Sequence, residues 1–443
     1  MKVFNYTKLF QQIRENLGPK LSQIDVMNKL LMGGGISAVG GISSKILTFV
    51  SVVYVSRQIG GENFGIYIYF QAALMFFCLL FSIGLPTPAT KIAAEIYDND
   101  KNKLKQIITL YYSATFLSGL IGTLLFILIG IFLFPEHMSQ NVFNYDFVLI
   151  TSLAILCINL DALNHAFLFG LAEIKHSILA LVLASILGLL SVVILVELFG
   201  MYGAMLSIAT VPAIQLLVSG FMCLKKLRAE NLLSRKIDFS HSRTLLDQGL
   251  PMMLLGIMLA LANWSVQTII VYSGRGLEEV GVFGVGQQAF QLVVFVPIAF
   301  GRVLLPLLSK HLSINHLDVS TALIKMSFVL NFCIAFPVFL FIWILAGEFL
   351  TIFGNYDLEY TFVIRVMALA AFISAVISPI GAILIANSRY WLGFAMNLGW
   401  AMVYVLATLA MSDVGVLGVS YALLVAYCLH SIWTIGWYLL DKQ

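Results

Sequence analysis

The residues that invite chemistry in this chain are polar side chains standing inside long apolar runs. Lys45 lies near the middle of the first run, about ten residues from either end, with Ser37, Gly41, Ser44 and Thr48 sharing its helical face. A cation at bilayer depth costs at least about 2.5 kcal/mol, so it must be paired or face a cavity. A stripe of small polar residues carrying one cation reads as a cavity wall; a structural ion pair with a neighbouring helix is the competing reading. Further along, Asn263 and Gln267 stand one turn apart with Trp264 beside them, and Gln71, Gln287, Gln288 and Gln291 add amides in two other runs. Amides beside aromatic rings offer the donors, acceptors and stacking face that sugar hydroxyls need. The same amides also serve as hydrogen-bonding glue between membrane helices. Arg302, between Pro297 and Pro306, and Arg365 complete a series of cations at three depths, which would suit a polyanionic head group. Either arginine is also near enough to a run end to snorkel.

Asp161 is the carboxylate deepest in a run, and it is grouped with Asn159, Asn164 and His165. Asp161 and His165 are four apart, one above the other on a helix. Such a pair could bind a coupling cation or pass protons. It could equally be a buried structural pair, or a counter-ion for Lys45. No Walker A loop, HExxH zinc helix or nucleophile elbow is present, so neither ATP, a catalytic metal nor an acyl-enzyme is expected. The five cysteines (Cys78, Cys157, Cys223, Cys333, Cys428) all lie in apolar runs without a CxxC pair, so neither disulfides nor metal ligation is expected.

The elements that position these residues must be membrane spans. Of 443 residues, 60% are hydrophobic and only 11% charged, and the mean hydropathy is +0.96. A soluble chain carries about a quarter charged residues. About twelve hydrophobic segments can be read, at roughly 30–56, 64–86, 107–134, 147–170, 177–199, 202–224, 250–272, 281–308, 322–346, 361–386, 391–411 and 416–440. Each should be a helix, because backbone groups in hydrocarbon must bond within their own segment. Lys and Arg concentrate on one side: residues up to Lys29, then Lys91 to Lys105, Lys175, Lys225 to Arg243, Lys310, Arg389 and Lys442. By the positive-inside rule both termini are expected in the cytoplasm. The expected organisation is a cytoplasmic segment 1–29, a first lobe of six spans over 30–224, a cytoplasmic linker 225–249, a second lobe of six over 250–440, and a tail 441–443.

The two halves repeat. Glu62, Gly65, Gln71 and Ala73 of ENFGIYIYFQAA match Glu278, Gly281, Gln287 and Ala289 of EEVGVFGVGQQA, at a constant offset of 216 (278 − 62, 281 − 65). Slightly upstream the offset is 218 (275 − 57 for the arginines), which sets Asn263 opposite Lys45 (263 − 45). Six spans separate the partners, so the repeat is parallel, about an axis along the membrane normal.

These residues carry a resemblance to a known family. The stretch with Arg57, Gly60, Phe64-Gly65-Ile66-Tyr67, Gly84-Leu85 and Lys91 is similar to the first signature of the Wzx-type flippases, which move polysaccharide repeat units. The stretch around Gly170 and Lys175 looks like that family's junction of fourth and fifth spans. The resemblance covers nearly the whole chain and implies an all-α, V-shaped, two-lobed membrane fold of the MOP superfamily working by alternating access. It implies a bacterial inner-membrane transporter rather than an enzyme. The implied cargo is an undecaprenyl-diphosphate-linked oligosaccharide such as an O-antigen unit of lipopolysaccharide. Membrane lipid, a polysaccharide polymerase and a chain-length regulator are the implied partners, and no nucleic acid. No cofactor is expected; energy would come from an H+ or Na+ gradient or the membrane potential. Lys45, Arg302 and Arg365 are then expected to meet phosphate, with Asn263, Gln267, Gln287, Gln291 and Gln71 meeting sugar. Asp161 and His165 are the coupling candidates. A MATE-like, cation-coupled drug exporter is the alternative. Such exporters carry cavity carboxylates for cationic drugs, where this chain offers Lys45 and Asn263. A membrane scaffold or embedded glycosyltransferase fits less well, because the enzyme would need an acidic or metal-binding loop and the outer loops are short and poor in candidates.

Overall fold

A computed structural model describes residues 39–97, 99–133, 145–234, 242–273, 276–313, 317–387 and 389–440, with the side chains of 242–248, 251, 252, 255, 299–323, 386 and 390 outside the description. The helices are α1 Val39–Ile59, α2 Gly61–Phe81, α3 Pro86–Ile96, α4 Lys101–Leu133, α5 Tyr145–Gly170, α6 Ile174–Ala229 and α7 Ser242–Tyr272. They continue as α8 Leu277–Ser313, α9 Leu317–Ile344, α10 Ala346–Phe353, α11 Thr361–Ala386, α12 Tyr390–Ala410 and α13 Val416–Leu440. No strand occurs among the described residues. Ten of these helices are long and apolar enough to cross a membrane, and α7 contributes a shorter apolar stretch, Gly256–Tyr272.

In that ten, α6 counts once, yet its 56 residues fold back on themselves at Gly200 (φ 56, ψ −127), a conformation that glycine adopts without a Cβ clash. Ser191 and Thr210 lie 3.3 Å apart across the two arms. A Cβ on Gly203 would stand 1.8 Å from the Leu195 carbonyl oxygen, so the arms meet backbone to backbone just past the turn. The arms correspond to the expected segments 177–199 and 202–224. The expected segment 64–86 stops earlier, at Phe81, because Ile83 and Gly84 take positive φ (50 and 62) and Pro86 restarts the chain as α3. The expected linker 225–249 is shorter than read: α6 runs on to Ala229 and α7 begins at Ser242. Lys225, Lys226 and Arg228 extend the helix instead of ending it, since charged straight-chain residues are good helix formers once outside lipid. The expected tail 441–443 and segment 1–29 lie outside the described residues.

The repeat governs the whole architecture. Helix starts recur at the same offset of 216 for α2 and α8 (277 − 61), α4 and α9 (317 − 101), α5 and α11 (361 − 145) and α6 and α12 (390 − 174). The fold-back of α6 at Gly200 answers to the break at Gly415 (φ 73) between α12 and α13. The halves meet where the repeated motif meets itself. A Cβ on Gly65 would lie 1.7 Å from the Leu277 carbonyl oxygen, and one on Gly281 would lie 2.6 Å from the Gly61 carbonyl oxygen. Residue 61 corresponds to 277 and 65 to 281, so the contact is reciprocal, as a two-fold axis requires. Small residues matter here because helices in lipid gain most from close backbone approach.

Candidate functional site

The first half supplies its cation from α1. Helix α1 lies against the first arm of α6: a Cβ on Gly40 would strike Ile178, and Ser44 Oγ is 2.6 Å from Ser185 Oγ. Ser44 is therefore interhelical glue, which corrects the reading of that residue as cavity wall; Ser37 lies outside the described residues. Gly41 has open space around it, and the exposed Thr48 donates to the Ser44 carbonyl of its own helix at 2.9 Å. Lys45 turns toward the second half, where its Nζ donates to Gln291 Oε1 of α8. One turn earlier on α8, Gln287 Nε2 donates to Asn263 Oδ1 of α7 at 3.2 Å. Helix α8 thus carries a short ladder of amides that joins the cation of α1 to the amide of α7. Lys45 and Asn263, equivalent by the repeat, both lean on α8.

Among the described residues Lys45 has no carboxylate within ion-pair reach. An amide partner solvates an ammonium without cancelling its charge.

The other expected site residues fall into three groups. Gln267 is fully buried beside the ladder, and neither its Nε2 nor its Oε1 has a partner in the protein; the Trp264 Nε1 is likewise unpartnered. Trp264 stacks on Phe76 of α2 at 5.3 Å, so its ring packs the halves together and that face is unavailable to a sugar. Gln71 is half-buried on α2 and is not hydrogen-bonded to the ladder. Arg365 is not joined to it either: its Nε donates to the Trp343 carbonyl at 3.2 Å, and its guanidinium lies 5.5 Å over the Phe362 ring. Arg302 lies in α8, and its side chain is outside the described residues.

Asp161 and His165 form a separate polar centre inside the first half. The carboxylate is 3.7 Å from His165 Nε2, and His165 Nδ1 is 2.7 Å from Ser177 Oγ. Tyr112 donates to Asn164 Oδ1 at 2.6 Å, and Asn164 Nδ2 donates to Ser219 Oγ at 3.0 Å. Helices α4, α5 and α6 are thereby cross-linked, and Lys45 has no part in it. No group of metal-ligating side chains occurs among the described residues.

The sequence reading missed Ser185, Phe76 and the charged cluster at one end of the first half. There Lys226 bridges Glu173 (2.7 Å) and Glu230 (3.2 Å), and Lys101 pairs with Glu230 at 2.7 Å. Hydrogen bonds from these lysines pull the Glu230 carboxyl down to about 2, and the Lys226 bond lowers Glu173 as well. The signal available beforehand was only a set of opposite charges in three separate loops.

A family model described as polysaccharide biosynthesis protein matches residues 30–312. The chain belongs to that family. Its fold is that of the MOP superfamily transporters. A MOP superfamily transporter from Pyrococcus furiosus, described as having a binding pocket of reverse polarity, superposes with a TM-score of 0.71 at 14% identity, covering 93% of this chain and 94% of that one. Outward-facing and inward-facing MATE family multidrug transporters superpose with TM-scores of 0.68 and 0.67 at 13% and 14% identity. They cover 92% and 93% of this chain, and 95% and 99% of their own. No curated protein matches the chain in sequence. The family member is thus a multi-pass, all-helical membrane transporter with a cation, not a carboxylate, on α1.

Proposed function

We propose that this family member is a flippase that carries a lipid-linked oligosaccharide, with an anionic diphosphate head group, from the cytoplasmic to the outer leaflet of the bacterial inner membrane. The observation that carries this reading is Lys45, a deep cation whose partner is the Gln291 amide, set across the junction of the two halves. Undecaprenyl diphosphate supplies the anion such a group would hold. The amides Asn263, Gln267, Gln287, Gln291 and Gln71 offer donors and acceptors to the first sugars. Gln267, buried with both polar atoms unpartnered, is the amide with most to gain from a ligand.

Alternating access follows from the two-fold arrangement. The halves touch through the glycine seam of α2 and α8 and through the packing of α2 and α3 on α7; rocking about this interface would open the space between them to one side at a time while the lipid tail stays in the bilayer. Outward movement of an anion is favoured by about 2.3 kcal/mol per charge per 100 mV when the inside is negative. The lysine-rich loops support a topology with both termini in the cytoplasm. The protein performs no covalent chemistry in this scheme. Coupling to protons or sodium through Asp161 and His165 is a separable addition, and their bonding within one half favours a structural role.

The test is translocation of an undecaprenyl-diphosphate oligosaccharide by the purified protein in liposomes under an imposed potential. Translocation by the wild type that collapses in Lys45→Ala supports the reading. A wild type that neither moves nor binds the lipid, but extrudes a cationic dye, overturns it in favour of drug export.

A further inference from the structure

One end of the first half gathers positive charge that its own packing does not use. Four side chains there satisfy one another: Lys226 bridges Glu173 and Glu230 at 2.7 and 3.2 Å, and Lys101 pairs with Glu230 at 2.7 Å. The Tyr97 ring lies beneath both lysines, 5.5 Å from Lys101 Nζ and 5.9 Å from Lys226 Nζ. This quartet ties the start of α4, the residue before α6 and the end of α6 to one surface.

Around the quartet stand exposed cations with no acidic partner among the described residues. Lys103 follows Lys101 by two residues, Lys175 follows Glu173 by two, Lys225 adjoins Lys226, and Arg228 precedes Glu230 by two. Each is a near neighbour in sequence of a residue in the quartet, so all four share its surface. The nearby carboxylates are already engaged. Asp100 accepts from the Lys103 backbone N–H at 2.9 Å, Glu95 lies 3.9 Å from Lys91, and Glu173 also meets His176 at 2.7 Å.

Three of these cations stand where a helix surface passes from apolar to polar. Phe221 and Leu224, 71% and 43% exposed, lie four residues before Lys225 and Arg228 on the same faces of α6. Leu179, 49% exposed, lies four residues after Lys175. Exposed apolar side chains on a spanning helix meet acyl chains, so cations about 6 Å further along the axis stand at head-group level. Membrane orientation asks for Lys and Arg on one side and is indifferent to which half carries them. Here one half does. At the repeat offset of 216, Lys103 and Lys175 correspond to Val319 and Trp391 (319 − 103, 391 − 175). The last turn of α6 holds Lys226 and Arg228, whereas that of α13 holds no basic residue. The described cations at that end of the second half are Lys325 and Arg389, and Arg389 lies 5.5 Å over the Trp437 ring.

We propose that this face of the first half binds an anionic phospholipid, with its phosphate at Lys175, Lys225 and Arg228 and its acyl chains along Leu179, Phe221 and Leu224. Lysine and arginine both donate to phosphate oxygens, arginine through two parallel bonds. A zwitterionic lipid brings an ammonium that the same cations repel. The apolar faces one turn away select a lipid over a soluble anion, because they contribute only when a chain lies on them. The site shares no residue with the Lys45 ladder, and its success or failure does not depend on the flippase reading.

The experiment titrates the purified full-length protein in detergent with tail-labelled fluorescent phosphatidylglycerol and phosphatidylcholine. Phosphatidylglycerol should bind saturably, about tenfold tighter than phosphatidylcholine or more. Each cation near an anionic head group is worth roughly a fivefold gain. Lys175→Gln, Lys225→Gln and Arg228→Gln together should therefore weaken phosphatidylglycerol on the order of 100-fold and leave phosphatidylcholine unchanged. Glutamine suits exposed helix positions, and an unchanged melting temperature checks that the variant folds. If it does not fold, Arg228→Gln alone, expected to lose about fivefold, carries the test. Phe221→Ala should weaken both lipids by about threefold through a lost chain contact. Lys325→Gln and Lys45→Ala should bind as the wild type does. Equal affinity for the two lipids overturns the proposal, as does phosphatidylglycerol binding that survives the triple substitution or is lost in Lys325→Gln or Lys45→Ala. Displacement of the lipid by inorganic phosphate, beyond that by sodium chloride at the same ionic strength, assigns the cations to a soluble anion and overturns it too.

Discussion

The two halves of this transporter share a helix register to the residue at four pairs of helices and differ in what they place on it. The first half has a deep cation at position 45, a half-buried carboxylate at 161 and glutamate before α6. The second has an amide at 263, isoleucine at 377 and arginine before α12. The first half is closed by polar contacts: the His165–Ser177 bond with Asp161 3.7 Å from the imidazole inside, and Lys226, Glu173, Glu230 and Lys101 at one end. The second is closed by aromatic packing, with Phe332, Phe336, Phe339 and Phe372 in mutual contact, and it keeps a cavity. Backbone symmetry therefore arises from helix lengths and glycine positions, which tolerate little change. Side-chain chemistry varies freely on that frame.

The largest expected effects fall where the halves must remain alike. Gly65→Leu or Gly281→Leu drives a side chain into a backbone carbonyl, so the helices must part. Each should cost about 3 kcal/mol or more, seen as a large drop in melting temperature in detergent. Gly381→Leu, set in open space, should leave melting within a degree or two; an equal loss at all three positions would refute the distinction between seam and cavity.

Next come the positions where the halves differ. Lys45→Ala should reduce lipid-linked saccharide translocation on the order of 100-fold, the worth of a charge-assisted bond. Its counterpart Asn263→Ala should cost tenfold or less. Equal losses in transport assays would mean that the charge of Lys45 is incidental.

Asp161→Ala leaves His165 short of a buried partner and should destabilise the protein by about 1–3 kcal/mol in a melting experiment. Translocation in Asp161→Asn should keep its response to an imposed pH gradient. Loss of that response with melting unchanged would assign the pair to proton coupling.

The smallest effect concerns the charged cluster. Glu230 and Glu173 have folded-state values below the ordinary 4.5, Glu230 at about 2, so their contribution is fully present above pH 4.5. It is lost as pH falls from 4.5 toward 2, because only the ionised carboxylates hold the lysines. Glu230→Gln should flatten that part of a melting profile measured against pH. An unchanged profile would show that solvent screens the cluster completely.

Much of this was legible in order of residues alone. Hydropathy determined that the chain spans a membrane as helices, since lipid admits no other open backbone. The 216-residue offset determined a parallel two-fold repeat, and the isolation of Lys45 in an apolar run determined that it needs a polar neighbour. Which neighbour was a matter of packing: Gln291 rather than Asp161 reaches it, because α1 turns that face to α8 while Asp161 is held by His165 within its own bundle. Trp264 looked available for stacking until Phe76 covered it. The cavity is the clearest case. Gly381, Gly393 and Arg389 are ordinary residues in sequence, and only the packing of α7, α11, α12 and α13 around them makes a cavity of about 330 Å³. Helix formation is decided by local composition and solvent, whereas a cavity or a hydrogen-bond partner is decided by which faces of distant helices are brought within a few ångströms.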